Sequence, residues 1–512
     1  MTEQHTTPTS DDGASAAPDT RRRPSGRSGW LRGGLALAAV GALGAGIVVL
    51  DPLGKRNPAP ESGADVLPAS VRAFAELDVE PDLLQRAEMV RFALRVKPVT
   101  EAVSLTEQGD LRAELWRGLV KGTACAGVDY DTAVKPWLGR KVAVALPSGS
   151  DEPVWALQVT DEQQARRGAA TLAGCGALPS DAAYRDGFLV LATGSGQAGQ
   201  VLTEGSSSPL ATSDDYLDDR KRVGRQGLLN FWVTKQGMVH LLDSPAVAKQ
   251  LGESGSLPGR AVAEIRAAGW RSAAGSVRMI EGTPELKLAA KATEAHQTST
   301  TEMNLASLPQ DTVLAFGISD GDQVAAARWP QLHRVLGRLG VDVGPAASRL
   351  KGELPGDAQT MLGKDLRVSF SPAKGATTSL SDLPMQVATI SRGNQEADRV
   401  ESLVRQSGVE QDGWIASRRK RTVVVSQDAE RNKLVLRTKK RLIMDPSFKA
   451  AYATPEQGQI GFYANLAALG PIASDAVPPT IRPWVESLGA VGANAHNEDA
   501  NYSVAKLRVT AR

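Results

Sequence analysis

Several short patterns in this 512-residue chain use residue types that could do chemistry. Gly194-Ser195-Gly196-Gln197-Ala198-Gly199 spells G-x-G-x-x-G directly after the apolar run FLVLAT and before a helical stretch. Such glycines let a pyrophosphate approach a helix N-terminus, and an acidic residue about twenty positions on takes the ribose. Asp214 stands at that distance, but GSSSPLATS intervenes as loop rather than as a second apolar strand, which favours a plain glycine turn. Ser371-Pro372-Ala373-Lys374 fits S-x-x-K, where a lysine activates an acylating serine. It follows a strand in a Pro- and Gly-flanked loop, and no K-T-G comes after it. Asp214, Asp215, Asp218 and Asp219 put carboxylates on adjacent helical stripes, so calcium is conceivable. A helix capped by Ser213, acidic in its first turn and basic in its last at Arg220-Lys221-Arg222, explains them better. The histidines His5, His240, His296, His333 and His496 stand apart, without metal-ligand spacing. No catalytic, cofactor-binding or metal-ligating set is assigned.

Two features remain. Cys125 and Cys175 have no histidine nearby, and an even count in an oxidising compartment points to a bridge. It would close a loop of about 50 residues, worth roughly 4 kcal/mol in the chain-entropy model; two separate buried thiols are the alternative. Arg418, Arg419, Lys420 and Arg421 precede the run TVVVS, and Arg437, Lys439, Lys440 and Arg441 end or follow the run KLVLRT. Read as antiparallel neighbours, the two runs gather eight basic side chains at one sheet edge. Such an edge could hold anionic lipid headgroups or an anionic cell-wall polymer, or it could only guard the sheet against aggregation.

The elements that would position these residues are short alternating strands and amphipathic helices, the latter read over residues 83–94, 162–172, 324–339 and 395–404. They recur in order. Leu67-Pro68 leads into VRAFAELDV, and Leu308-Pro309 into TVLAFGIS; KVAVALP matches DLRVSFSP, VWALQVT matches MQVATIS, FLVLAT matches KLVLRT, and LLNFWV matches QIGFYA. The fold class expected is α+β, as two tandem copies of a mainly antiparallel sheet with helices over residues 67–300 and 308–512, each copy ending in a hairpin. Ahead of them, residues 1–32 read as a disordered cytoplasmic tail. Residues 33–50 carry no charge and, at 1.5 Å per residue, reach roughly 27 Å, enough for a transmembrane helix. Residues 51–66 read as a linker. Arg21, Arg22, Arg23, Arg27 and Arg32 precede the span, which puts the N-terminus in the cytoplasm and the bulk of the chain outside. The formal charge of +2 implies no general attraction to nucleic acid.

The run GVDYDTAVKPWLGRKVAVALP at residues 127–147, the strand opened by Leu67-Pro68 and the later VWALQVTDEQQA resemble the bacterial domain-of-unknown-function family 3352. The resemblance covers most of residues 65–512. It implies a membrane-anchored extracytoplasmic protein and supplies no functional residues. The expected function is a non-enzymatic binding or scaffolding module of the cell envelope, with the membrane, anionic lipid or cell-wall polymer and envelope proteins as partners. The alternatives are an envelope hydrolase or transferase whose site assembles only in three dimensions, and a ligand-binding or sensing ectodomain with a cleft between the copies.

Overall fold

The computed structural model describes residues 61–98, 111–120, 124–244, 266–295, 303–327, 329, 355–372, 383–452, 458–473 and 482–512. Among the described residues, runs that carry Val, Leu, Phe, Tyr and Trp, side chains that suit a pleated surface, form sixteen strands. These are β1 (Ala73–Asp78), β2 (Leu138–Leu146), β3 (Val154–Val159), β4 (Asp181–Arg185), β5 (Phe188–Ala192), β6 (Leu229–Thr234), β7 (Trp270–Ile280), β8 (Thr283–Ala292), β9 (Leu314–Ser319), β10 (Asp365–Phe370), β11 (Met385–Ile390), β12 (Ile415–Arg419), β13 (Thr422–Ser426), β14 (Ile460–Ala464), β15 (Leu488–Asn497) and β16 (Tyr502–Ala511).

All sixteen join one antiparallel sheet in the order β12-β13-β11-β10-β9-β14-β15-β16-β8-β7-β6-β1-β2-β3-β5-β4. The mixed helix-and-sheet class is as expected, but a separate sheet for each copy is not what forms. The last strands of the two halves, β8 and β16, pair with each other from Tyr502↔Lys291 to Arg508↔Glu285. Left apart, each half would end in a ten-residue edge with open N–H and C=O groups; pairing them satisfies both ladders at once. Away from this seam each half runs in the same order, 8-7-6-1-2-3-5-4 in one and 16-15-14-9-10-11-13-12 in the other. Each also carries the same tie. Leu210 N–H donates to Leu67 O, and Leu442 N–H to Leu308 O, with all four side chains buried.

One face of the sheet is packed with helices. Phe74, Trp232, Ala274, Ala289 and Val504 meet Ala198, Val201, Leu202, Tyr216 and Val223 from the helices Gln197–Ser207 and Asp214–Val223. In the other half Ala315, Tyr463 and Ala490 meet Phe448, Ala451 and Tyr452, with Phe448 stacked on Tyr452. The helices sit so close that Gly205 has no room for a side chain, since a Cβ there would lie 2.1 Å from Val66 O. The opposite face is covered at the two ends of the sheet and, along the strand ends in the middle, by helix Leu466–Ala473, whose Leu466 and Leu469 pack with Leu314, Phe370 and Ala464, and by helix Leu83–Ala93, whose Met89 and Ala93 pack with Met279. Helix Glu162–Gly174 brings Ala165, Ala169 and Leu172 onto Trp155, Leu157, Leu189 and Leu191. Helix Asn394–Gln406 brings Ala397 and Val400 onto Val423 and Val425.

Two expectations change here. KLVLRT is not a strand: helix Ala429–Arg437 runs through it, started by Asp428, whose side chain accepts from Glu430 N and Arg431 N. The strand that takes the place of FLVLAT in the second half is therefore β13. The linker also ends earlier than Val66. Gly63–Asp65 is a 3-10 turn, and buried Glu76 accepts from Ser62 Oγ at 2.8 Å and Gly63 N at 2.7 Å, so residues 62–66 belong to the core. The tail, the membrane span and the rest of the linker lie outside the described residues. Among the described residues no helix is long and apolar enough to cross a membrane.

Candidate functional site

The glycine pattern forms the turn before helix Gln197–Ser207, with Gly196 at a left-handed φ of 76°. The amides that would cradle a phosphate are taken by a side chain of the protein: Asp181 accepts from Gly196 N at 3.0 Å and from Ala198 N at 2.7 Å. Ser371 is buried after β10, with its Oγ 3.5 Å from Gln386 Oε1; Ala373 and Lys374 lie outside the described residues. The aspartates do start a helix, although Ser213 at its N-cap makes no capping bond. Asp215 pairs with Lys291 and Arg271, and Asp218 with Lys291. Asp219 is buried and accepts from Trp232 Nε1 at 2.8 Å and Tyr502 Oη at 3.0 Å. Of the histidines, His5, His296 and His333 lie outside the described residues; His240 lies 3.6 Å from Asp151, and His496 is on β15.

Cys125 and Cys175 are joined as a disulfide, Cα atoms 5.3 Å apart, inside the cluster that covers β3 and β5. The eight basic residues do not form the predicted strand-end cluster. Arg418 to Arg421 sit on the β12–β13 hairpin, and Arg437 to Arg441 at and beyond the C-terminus of helix Ala429–Arg437. The two groups touch where Arg419 Nη1 donates to Leu436 O at 3.0 Å, a favourable place for a cation because the last helical carbonyls lack partners. Arg418 is committed to Asp398 and Glu401, and Arg421 to Arg392 O. Lys420, Arg437, Lys439, Lys440 and Arg441 are exposed.

A groove of about 860 Å³ opens beside helix Lys235–Asp243. Its charges are spent on one another: Arg72 on Asp151, Arg266 on Asp243, Arg271 on Asp215, and Lys235 Nζ on Ala268 O. Nothing in that arrangement singles out a reaction.

The more unusual surface is the middle of the open sheet face. The registers line up one residue per strand in a straight row: Leu157, Val142, Leu77, Leu229, Val277, Leu286, Leu507, Ala493, Phe462, Phe316, Val368 and Val387. Every one is apolar. A second row beside it carries Phe231, Gly275, Leu288, Ala505, Ala495, Ile460, Ile318 and Leu366. Phe316, Ile460 and Phe462 stay 42%, 45% and 37% exposed, and Leu286, Leu288 and Leu507 are half-buried. Soluble surfaces seldom leave a contiguous apolar patch this broad without a use for it. The sequence hides this face, because E-L-K-L and A-K-L-R read as strands with apolar side in and charged side out. Compared with known proteins, the chain matches no family model, no curated protein and no solved structure.

Proposed function

We propose that the protein is a non-enzymatic binding module of the bacterial cell envelope that holds the acyl chains of a lipid on its open sheet face. The observation that carries this reading is the apolar row. From β7 to β9 it crosses six strands, about 24 Å at strand spacing, whereas one leaflet of a bilayer core is about 15 Å deep. An acyl chain could therefore lie along it at full length without meeting a polar side chain of the row. Burial of apolar surface at roughly 25 cal/mol per Å² would supply the affinity.

The membrane context comes from the uncharged span at residues 33–50, read as an anchor with the N-terminus inside, and from the resemblance to family 3352. The chain is read as two copies of one unit; the common strand order and the matching Leu67–Leu210 and Leu308–Leu442 ties support that. The two copies then build one floor across the seam.

Organic extraction of protein purified from membranes, followed by mass spectrometry, should recover stoichiometric lipid. Phe316→Asp with Phe462→Asp should lose that lipid and the displacement of a fluorescent fatty acid, with circular dichroism unchanged. Wild type without lipid, or a double variant that binds as well as wild type, would refute lipid capture. Loss of a co-purifying envelope protein instead of lipid would move the reading to a scaffold.

A further inference from the structure

Helix Leu83–Ala93 carries apolar side chains on both of its sides. The inner side packs Met89 and Ala93 against Leu228 and Met279. Its rotation is pinned by hydrogen bonds. Asp82 caps the first turn by accepting from Gln85 N at 2.9 Å, while the Gln85 side chain donates to Met279 O and accepts from Met279 N. The outer side holds Leu83 at 57% exposure and Leu84 at 68%, with the C-cap Leu94 at 52%. Among the described residues, Leu84 and Leu83 are the two most exposed large apolar side chains. At 3.6 residues per turn, Leu83, Ala87 and Leu94 fall on one stripe, and Leu84, Arg91 and Arg95 on the next. Ala87, Arg91 and Arg95 are exposed, and the helix's one carboxylate, Glu88, is half-buried. Leucines beside arginines suit a helix that lies in the plane of a bilayer surface, leucines among the acyl chains and guanidinium groups at the phosphates.

The path of the chain brings this helix toward the bilayer. Ser62 Oγ and Gly63 N both donate to Glu76, and β1 ends two residues later at Asp78. The first described residues and the start of the helix therefore share one end of β1. Residues 51–60 alone separate that point from the uncharged stretch ending at Leu50. Fully extended, they reach at most about 36 Å.

We propose that helix Leu83–Ala93 rests on the surface of an anionic bilayer, with Leu83, Leu84 and Leu94 below the headgroups and Arg91 and Arg95 against lipid phosphates. The contact rests on the function proposed above for its tether, the anchor at residues 33–50, and not on lipid capture. Three leucines on so short a helix bind weakly alone; the tether supplies the local concentration.

Fluorescence quenching in the full-length protein tests this. Its two cysteines are joined, so a reporter can be placed by Leu84→Cys and, as a control in the other half, by Lys439→Cys, both at exposed positions. In vesicles of phosphatidylglycerol and phosphatidylcholine in equal parts, lipid-borne nitroxides should quench the Leu84 reporter at least threefold more than the control. That quenching should fall at least twofold in phosphatidylcholine alone, and Arg91→Gln with Arg95→Gln should abolish the difference between the two vesicles. A second reporter, at Leu94→Cys, should lose its quenching on Leu83→Ser with Leu84→Ser while circular dichroism stays unchanged. Flotation of the vesicles at alkaline pH reports the anchor separately. Protein that floats with an unquenched Leu84 reporter would overturn the helix contact and leave the anchor standing. Quenching without flotation would keep the contact and overturn the anchor, and the absence of both would overturn both. Quenching of the control equal to that at Leu84 would also overturn the contact.

Discussion

Two buried carboxylates on the helix-packed side of the seam show how partners decide a charge. Burial raises Asp219, and the hydrogen bonds from Trp232 and Tyr502 recover only part of that cost. Glu285 is as deeply buried, yet Arg278 and Arg508 outweigh burial and hold it below the usual carboxylate range. The consequences run in opposite directions. A raised carboxylate favours the folded state most below its unfolded pKa, and that advantage fades as pH climbs through the folded value. Urea unfolding from about pH 4 to pH 8 should therefore show wild type losing ground to Asp219→Asn as pH rises; parallel curves would refute the assignment. Glu285 gives its stability above the unfolded pKa and loses it as pH falls. Glu285→Gln leaves two largely buried guanidinium groups uncompensated and should cost about 3 kcal/mol near neutrality, measured by the same titration.

At the scale of elements, the instructive segment is Lys433 to Thr438. A run of three apolar residues, Leu434, Val435 and Leu436, cannot by itself separate strand from helix. What decides is upstream and across the fold. Asp428 caps the first turn, and buried Asn432 donates to Ile415 O and accepts from Ser426 Oγ, which pins the helix over β12 and β13. Once that segment is a helix, the basic residues that follow lie at a helix end and not along a sheet edge. The glycine-rich helix before β6 obeys a similar constraint. Gly205→Ala drives a methyl into the Val66 carbonyl and should lower stability by about 1–3 kcal/mol, read as a fall in Tm. An unchanged Tm would mean that the helix and the first turn separate easily. The disulfide staples the helical cover of β3 and β5, so Cys125→Ser with Cys175→Ser should loosen that region first. Hydrogen exchange would then rise at Trp155, Leu157, Leu189 and Leu191 before it rises around β14 and β15.

The whole molecule depends on one strand pairing. β8 and β16 carry the ladder between the halves, and Tyr502 reaching Asp219, with Arg222 reaching Glu498 and Asp499, adds side-chain ties across it. A chain ending at residue 300 would leave β8 as a long open edge with apolar side chains on one face. Such an edge recruits another copy. Sedimentation should find this half as a dimer or larger, and Leu286→Lys with Leu288→Lys should return it toward monomer. A monomeric half would show that the edge is protected by something other than its partner strand.

The sequence by itself determined most of the strands, the hairpin that ends each half, the matching order of the landmarks along the two halves and the helices at Leu83–Ala93, Glu162–Gly174 and Asn394–Gln406, because short-range periodicity and caps write these locally; the pairing order of the strands it did not determine. It could not determine which side of a strand is covered. In β8, Glu285 and Lys287 alternate with Leu286 and Leu288, and either set could face the helices. Only the tertiary structure turned the charges toward the helix-packed side and left the leucines on the open one. It did so because the inter-half pairing fixes the register, and a register shifted by one residue would exchange the two faces. The joining of the apolar rows at Leu286 and Leu507 and the Asp219–Tyr502 contact rest on residues more than 200 positions apart, and no local pattern can encode such a distance.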